Sequence, residues 1–234
     1  MHAALLIAKY FNTHLEILKS SPGLKNSMPG GVPDNIMQDL ENIIVKNYTE
    51  DNESFGKLID KEAQQFDITL SDKPVESQVT VHVDYQYGDR SAMVAQESKF
   101  CDLVIAAAPP NGHSTATFEA SVLSSGKPVL VFPKKLKTFN TESIIIGWNN
   151  SQEASRALTS SIELLQQAKK VHIVTSEQYA NDLQTLDKLR GYLSFYGVET
   201  SIEMIKTTLF SGEALLNSSI KGEFALIVAG AYGH

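Results

Sequence analysis

The residues whose types and spacing point most clearly to a chemical role are a pair of glycines at the end of the sequence. Gly230 and Gly233 enclose Ala231 and Tyr232, follow a short apolar run and precede His234. Glycines at this spacing let backbone N–H groups approach phosphate oxygens, because no Cβ stands in the way. His234 is a candidate phosphate contact. The spacing also fits a plain tight turn, so the pair alone leaves both interpretations open.

A second polar segment follows another apolar run. It reads Gly147-Trp148-Asn149-Asn150-Ser151. Asn149 and Asn150 can exchange hydrogen bonds with a ribose or base, and Ser151 is expected to cap a helix. Trp148 could either cover a base or fill core space. Open α/β sheets bind ligands beyond the carboxyl ends of their strands, so both polar segments stand where a ligand is expected.

The sequence offers no obvious side-chain catalyst. The six histidines show no metal-ligand spacing, and His14, His82 and His172 fall in or beside predicted strands, where a structural role is favoured. No nucleophile elbow and no catalytic carboxylate pair is present. We therefore predict no catalytic residue and no metal ligand.

The composition is that of a globular protein. The 234 residues are 42% hydrophobic and 20% charged, with a net charge of −7. This acidic balance argues against nucleic acid as a partner, and the apolar runs are shorter than the roughly 20 residues of a membrane span. The single cysteine, Cys101, excludes an intramolecular disulfide. We expect a cytoplasmic protein with neither nucleic-acid nor membrane partners.

Short β-branched runs alternate with amphipathic segments, which predicts βαβ units and parallel sheets. The predicted strands are His14 to Leu18, Val79 to Tyr85, Leu103 to Ala108, Pro128 to Phe132, Ser143 to Trp148, Lys170 to Thr175, Ser201 to Lys206 and Phe224 to Ala229. The predicted helices are Ala3 to Phe11, Asp34 to Gln65, Ser91 to Lys99, Ala154 to Ala168, Asn181 to Tyr196 and Gly212 to Ile220.

The order of elements occurs twice. The segment that begins at Gly88 is a predicted helix leading into an apolar strand at Asp102. The segment that begins at Ser211 is likewise a predicted helix leading into an apolar strand at Ala225. We therefore predict two related domains, at residues 1–137 and 138–234. The first is expected to lack the strand that opens the second at Ser143, and the second to lack a C-terminal helix and strand.

In these segments the chain resembles a tandem universal stress protein. The resemblance rests on Ile144 to Ser151 with Ala154 to Leu158, Val171 to Thr175, Ser211 to Glu213, and Leu226 to His234. It implies an α/β fold of two tandem Rossmann-like domains, each with an open, mainly parallel five-stranded sheet and helices on both faces. It also implies a stress-response protein whose second domain binds ATP or another adenine nucleotide, with or without Mg²⁺.

The resemblance assigns roles to individual residues. Gly230 and Gly233 would begin the phosphate loop, and Asn149 stands where the family usually has an aspartate. The expected nucleotide contacts are Gly147, Trp148, Asn149, Asn150, Val174, Gly230, Ala231, Tyr232, Gly233 and His234.

The first domain departs from the pattern at Ala106 to His113 and at Glu119, because prolines lack N–H donors and the carboxylate repels phosphate. We expect it to bind no nucleotide and to pair with the second domain as a pseudo-dimer. A homodimer is an alternative to this pairing. The alternative function is that of an interaction scaffold that retains the fold but binds no nucleotide.

Overall fold

The computed structural model describes residues 1–22, 34–177, 179, 183–206 and 212–231. The chain divides into two compact units, Met1–Thr138 (unit 1) and Phe139–His234 (unit 2). Three residues of the predicted phosphate loop, Tyr232, Gly233 and His234, lie outside the described ranges.

Unit 1 contains two small parallel sheets. Its elements in chain order are α1 (His2–Phe11), β1 (His14–Ser21), α2 (Asp34–Gln65), β2 (Thr69–Leu70), β3 (Thr80–Tyr87), α3 (Arg90–Glu97), β4 (Val104–Ala107), α4 (Ala116–Leu123) and β5 (Val129–Phe132). One sheet has the order β1-β3-β2 and the other pairs β4 with β5. The buried core joins Leu5 of α1, Leu15 of β1 and Ile59 of α2 to Val81 of β3, and Ile105 of β4 packs against it.

Unit 2 contains one parallel sheet of order β8-β7-β6-β9. Its elements are β6 (Ser143–Gly147), α5 (Gln152–Ser160), α6 (Ile162–Gln167), β7 (Lys170–Ser176), α7 (Leu183–Phe195), β8 (Ser201–Ile205), α8 (Gly212–Lys221) and β9 (Leu226–Ala229). Apolar side chains cover both faces of β6, which is what a central strand of a parallel sheet requires. Ile144 and Ile146 belong to one core cluster, and Ile145 belongs to another on the opposite face.

The predicted α/β class with parallel sheets is confirmed, and every predicted strand is present with ends shifted by at most two or three residues. Each sheet in the described residues has fewer than the five strands that were expected. By element order β1 and β4 correspond to β7 and β9, which both pair with β6, whereas no strand in the described part of unit 1 pairs with both β1 and β4.

Two local features differ from the sequence prediction. The short strand β2 was not expected from periodicity, whereas α4 lies within the helix and strand expected at Thr115 to Phe132. The helix predicted from Ala154 to Ala168 is instead two helices, α5 and α6, which meet at Ser161. The Ser161 hydroxyl donates to the Leu158 carbonyl at 2.9 Å, and this local bond competes with continuation of the helix. Asn181, the predicted start of the next helix, lies outside the described residues.

Candidate functional site

The candidate site lies where three parallel strands of unit 2 end together. Gly147 at the end of β6 is opposite Val174 of β7 on one side and Ala229 of β9 on the other. The segments that follow Gly147 and Ala229 therefore emerge at the same edge of the sheet. The two polar segments singled out in the sequence are brought side by side.

The turn after β6 is held by its own polar side chains. The Asn149 Oδ1 atom accepts hydrogen bonds from the Ser151 N–H at 3.2 Å and from the Ser151 hydroxyl at 2.7 Å. The Ser151 Oγ atom accepts in turn from the Ala154 N–H at 3.1 Å, so the predicted helix cap is confirmed. Asn150 has φ of 59°, a left-handed conformation that asparagine tolerates. The side-chain oxygen of Asn149 thus shapes the turn.

Gly230 touches the backbone of the helix that follows this turn. A Cβ atom at Gly230 would lie 2.5 Å from the Ala154 nitrogen and 2.7 Å from the Glu153 carbonyl carbon. Such distances are far inside van der Waals contact, so only glycine fits without displacing α5 or β9. The absence of a side chain at Gly230 lets the chain leaving β9 pass directly against the first turn of α5.

Three polar atoms at the same edge are buried without a hydrogen-bond partner among the described residues. They are the Trp148 Nε1 atom and the hydroxyl oxygens of Thr175 and Ser176. Thr175 and Ser176 are fully buried, and Trp148 is 8% exposed. Buried polar atoms in folded proteins are nearly always paired, so three together at the ends of β6 and β7 indicate unmet hydrogen-bonding capacity at this edge.

Trp148 and Thr175 lie on the same face of the sheet. The backbone N–H of Trp148 donates to the Val174 carbonyl at 2.9 Å. This bond extends the β6–β7 ladder by one residue and places Trp148 next to Thr175. The Trp148 ring belongs to the core cluster with Ile146, so of the two roles left open for Trp148 the structure shows the core role. Ser176, one residue further along β7, is on the opposite face.

Val174 also faces away from Trp148. Its side chain is fully buried against Ile145 and Leu215, and its carbonyl accepts a hydrogen bond from the backbone N–H of Trp148. A contact between the Val174 side chain and a ligand would therefore need the core to open. Sequence reasoning missed Thr175 and Ser176, although two hydroxyl residues at the end of an apolar β-branched strand were a visible signal.

The corresponding edge of unit 1 is built differently. After β4, Ala108 donates its N–H to the Phe132 carbonyl, and residues Pro110–Gly112 form a single 3-10 turn. Helix α4 follows with Thr115 as its cap and Glu119 in its first turn. Prolines and a carboxylate thus occupy the segment where unit 2 has the close approach of Gly230 to α5.

The strand histidines each lie close to a polar side chain on a neighbouring segment. His14 Nδ1 is 2.7 Å from the Thr80 hydroxyl in unit 1, and His172 Nδ1 is 2.7 Å from the Ser201 hydroxyl in unit 2. His82 Nδ1 lies 3.3 Å from Asp72 Oδ1. Burial lowers the pKa of His14, the nearby carboxylate of Glu16 acts in the opposite direction, and His82 lowers the pKa further.

The described ranges contain neither a metal-binding cluster nor a membrane-spanning helix. No group of three or more histidine, cysteine, aspartate or glutamate side chains in those ranges could hold a metal ion. No helix in the described part of the chain has both the length and the apolar character needed to cross a bilayer.

Comparison with known proteins identifies the fold. No family model and no curated protein matches the sequence. The crystal structure of a universal stress protein from Archaeoglobus fulgidus aligns with a TM-score of 0.71 at 13% sequence identity, over 98% of this chain and 80% of that one. A universal stress protein family member from Burkholderia pseudomallei covers 39% of this chain and 83% of its own length, with 19% identity and a TM-score of 0.35, too low to support an argument. The chain therefore has the fold of the universal stress proteins.

Proposed function

We propose that this chain is a stress-response or signalling protein whose second unit binds an adenine nucleotide at the carboxyl edge of β6, β7 and β9. The observation that carries the proposal is the set of buried, unpartnered polar atoms on Trp148, Thr175 and Ser176 at that edge. The fold shared with a universal stress protein directs attention to this edge, and the family resemblance of the sequence implies an adenine nucleotide as the ligand.

The residues at the edge fit a nucleotide chemically. The Trp148 Nε1–H can only donate, whereas the hydroxyls of Thr175 and Ser176 can donate or accept. Adenine and ribose present both acceptors and donors, so a nucleotide on the face shared by Trp148 and Thr175 could complete those two atoms, whereas Ser176 lies on the opposite face. The Asn149 Oδ1 atom already accepts hydrogen bonds from Ser151, so Asn149 would donate to the ligand through its side-chain N–H groups.

The phosphates would lie against the segment that begins at Gly230. Backbone N–H groups of Ala231, Tyr232, Gly233 and His234 are the donors expected there, close to the first turn of α5, where the helix dipole favours negative charge. A magnesium ion would arrive with the phosphates. The function needs no side-chain catalyst and suits a reducing, cytoplasmic location.

Removal of one hydroxyl tests the proposal. Thr175→Val replaces the hydroxyl with a methyl group of similar size. Without nucleotide, the variant should be as stable as the parent or slightly more stable, because an unpartnered buried hydroxyl is lost. With nucleotide, calorimetric titration of ATP and ADP into the full chain should show an affinity lower by about tenfold, the value of one hydrogen bond of roughly 1.4 kcal/mol.

Ser161→Ala is the matched control. Ser161 also carries a buried hydroxyl in unit 2, but this hydroxyl donates to the Leu158 carbonyl. It lies between α5 and α6 rather than at the end of a strand. This variant should lose some stability and keep the parent's nucleotide affinity. Equal affinities of the parent and Thr175→Val for both nucleotides would refute the role of this edge, and the absence of any binding by the parent up to about 1 mM would refute nucleotide binding altogether.

A further inference from the structure

A serine, a histidine and a glutamate form a hydrogen-bonded chain on the sheet of unit 2. Ser201 is the first residue of β8 and is paired in register with His172 of β7. The Ser201 hydroxyl oxygen lies 2.7 Å from the His172 Nδ1 atom. The His172 Nε2 atom lies 3.3 Å from the Glu203 Oε2 atom. Both ring nitrogens of His172 therefore have a polar partner, one on each side.

The Glu203 carboxylate determines which nitrogen of His172 carries the proton. An ionised carboxylate only accepts hydrogen bonds, and a neutral imidazole has one donor and one acceptor nitrogen. Nε2 therefore donates to Glu203, and Nδ1 accepts from the Ser201 hydroxyl. A hydroxyl that donates to a histidine, which in turn donates to a carboxylate, is the arrangement of a nucleophile, its general base and an orienting acid.

The hydroxyl is accessible, whereas the imidazole is held by its surroundings. Ser201 is exposed, but the His172 side chain is only 17% exposed. The Phe224 ring stacks on the imidazole, with ring centroids 5.5 Å apart and planes inclined by 13°. The ring of His172 is thus fixed by Phe224 and Glu203, while a reactant can reach the Ser201 oxygen from solvent.

Unit 1 has the corresponding pair without the carboxylate. His14 Nδ1 is 2.7 Å from the Thr80 hydroxyl. His82 follows two residues after Thr80, at the position that Glu203 holds after Ser201. Thr80 is also fully buried. A contact that served only to join two strands would be complete with the pair, so the exposed hydroxyl and the added carboxylate set unit 2 apart.

The open edge of β8 supplies a donor beside the serine. The Ile205 carbonyl accepts from the Glu177 N–H, so the backbone groups of Ser201, Glu203 and Ile205 face β7 and those of Ile202 face away from it. Among the strands the structure describes, none pairs with this outer side of β8. The Ile202 N–H is therefore placed as the N–H that follows the nucleophile in many hydrolases, where it stabilises the oxyanion.

We propose that Ser201 is a nucleophile toward small carboxylic esters, with His172 as its general base and Glu203 as the residue that positions the imidazole. The Ser201 oxygen attacks the ester carbonyl carbon while its proton passes to His172 Nδ1. The bond from that carbon to the leaving oxygen breaks, the leaving oxygen takes the proton from His172, and the acyl group stays on Ser201. Water then attacks the acyl carbon and gives a proton to His172. The carboxylic acid departs, and the Ser201 oxygen recovers the proton.

A serine-reactive fluorophosphonate probe, followed by peptide mapping of the full chain, tests this nucleophile. The Ser201 oxygen should displace fluoride from the probe and become phosphonylated. Ser194 is the internal control, because it is exposed but its hydroxyl donates to the Gly191 carbonyl instead of a histidine. Ser201 should be labelled about 100-fold faster than Ser194. With p-nitrophenyl acetate, the acetyl group should be found on Ser201.

The variants separate a chemical role from a structural one. His172→Gln should slow labelling of Ser201 by about 100-fold, and Glu203→Gln should slow it by about tenfold, whereas Glu203→Asp should restore part of the rate. The matched substitution in unit 1, His14→Gln, should leave the rate unchanged. Circular dichroism establishes that each variant is folded. Labelling of Ser201 no faster than that of Ser194, or the parent's rate in folded His172→Gln, overturns the proposal.

Discussion

The two units share their strand architecture near the amino ends of the strands and differ at the carboxyl ends. In each, a histidine on one strand lies 2.7 Å from a hydroxyl on the next, as His14 with Thr80 and His172 with Ser201. At the carboxyl ends, unit 2 has three buried polar atoms that find no partner among the residues the structure describes, whereas unit 1 has a proline-containing turn. The comparison teaches that two units can share a contact between neighbouring strands and still differ in the polar groups at their strand ends.

The largest effect on stability is expected at Gly230. Gly230→Ala places a Cβ atom 2.5 Å from the Ala154 nitrogen, and relief requires movement of backbone rather than of a flexible side chain. We expect unfolding in urea to show a loss of about 2 to 3 kcal/mol. The matched substitution Gly191→Ala, in α7 with open space around the added methyl group, should stabilise the protein by about 0.5 to 1 kcal/mol. Equal stability of Gly230→Ala and the parent would contradict the close approach of β9 to α5.

A smaller effect is expected at Asn149. Asn149→Ala removes the acceptor for the Ser151 N–H and hydroxyl and should cost about 1 kcal/mol in urea unfolding. Asn149→Asp keeps an acceptor in the same place beside a helix N-terminus and should match the parent within about 0.5 kcal/mol. If alanine and aspartate had the same effect, the side-chain oxygen would not be what holds the turn.

The smallest effect concerns pH and the histidine pair of unit 1. Because the pKa of His14 is lowered in the folded state, folding favours its neutral form. The stability it contributes is present above the ordinary histidine pKa of about 6.5 and is lost as pH falls through the folded value. Urea unfolding of the parent and of His14→Asn between pH 5 and 8 should show a shallower loss on acidification in the variant. Parallel curves would show that the His14 pKa is not lowered.

Periodicity was sufficient to predict most of the fold, because the β-branched runs are short and are separated by amphipathic helices. Thr69 and Leu70 of β2 were missed because two residues cannot display a period. The break at Ser161 depends on a side-chain bond that periodicity does not register.

The candidate site was predicted less completely than the fold. The edge itself followed from the rule that parallel strands end together, and the cap at Ser151 followed from its residue type. The clash that restricts Gly230 to glycine depends on a contact with Ala154, far away in sequence. The importance of Thr175 and Ser176 lies in the absence of partners among the described residues, which only coordinates can reveal.

Fluorescence of Trp148 during nucleotide titration tests the central claim most directly. It is the only tryptophan of the chain and lies at the edge of unit 2 proposed to bind nucleotide. Addition of ATP or ADP should change its emission in a single saturable phase, with the affinity measured by calorimetry, and Thr175→Val should shift the curve by about tenfold. Calorimetric binding with no change in Trp148 emission, or the same curve for Thr175→Val, would contradict a site at the carboxyl edge of unit 2.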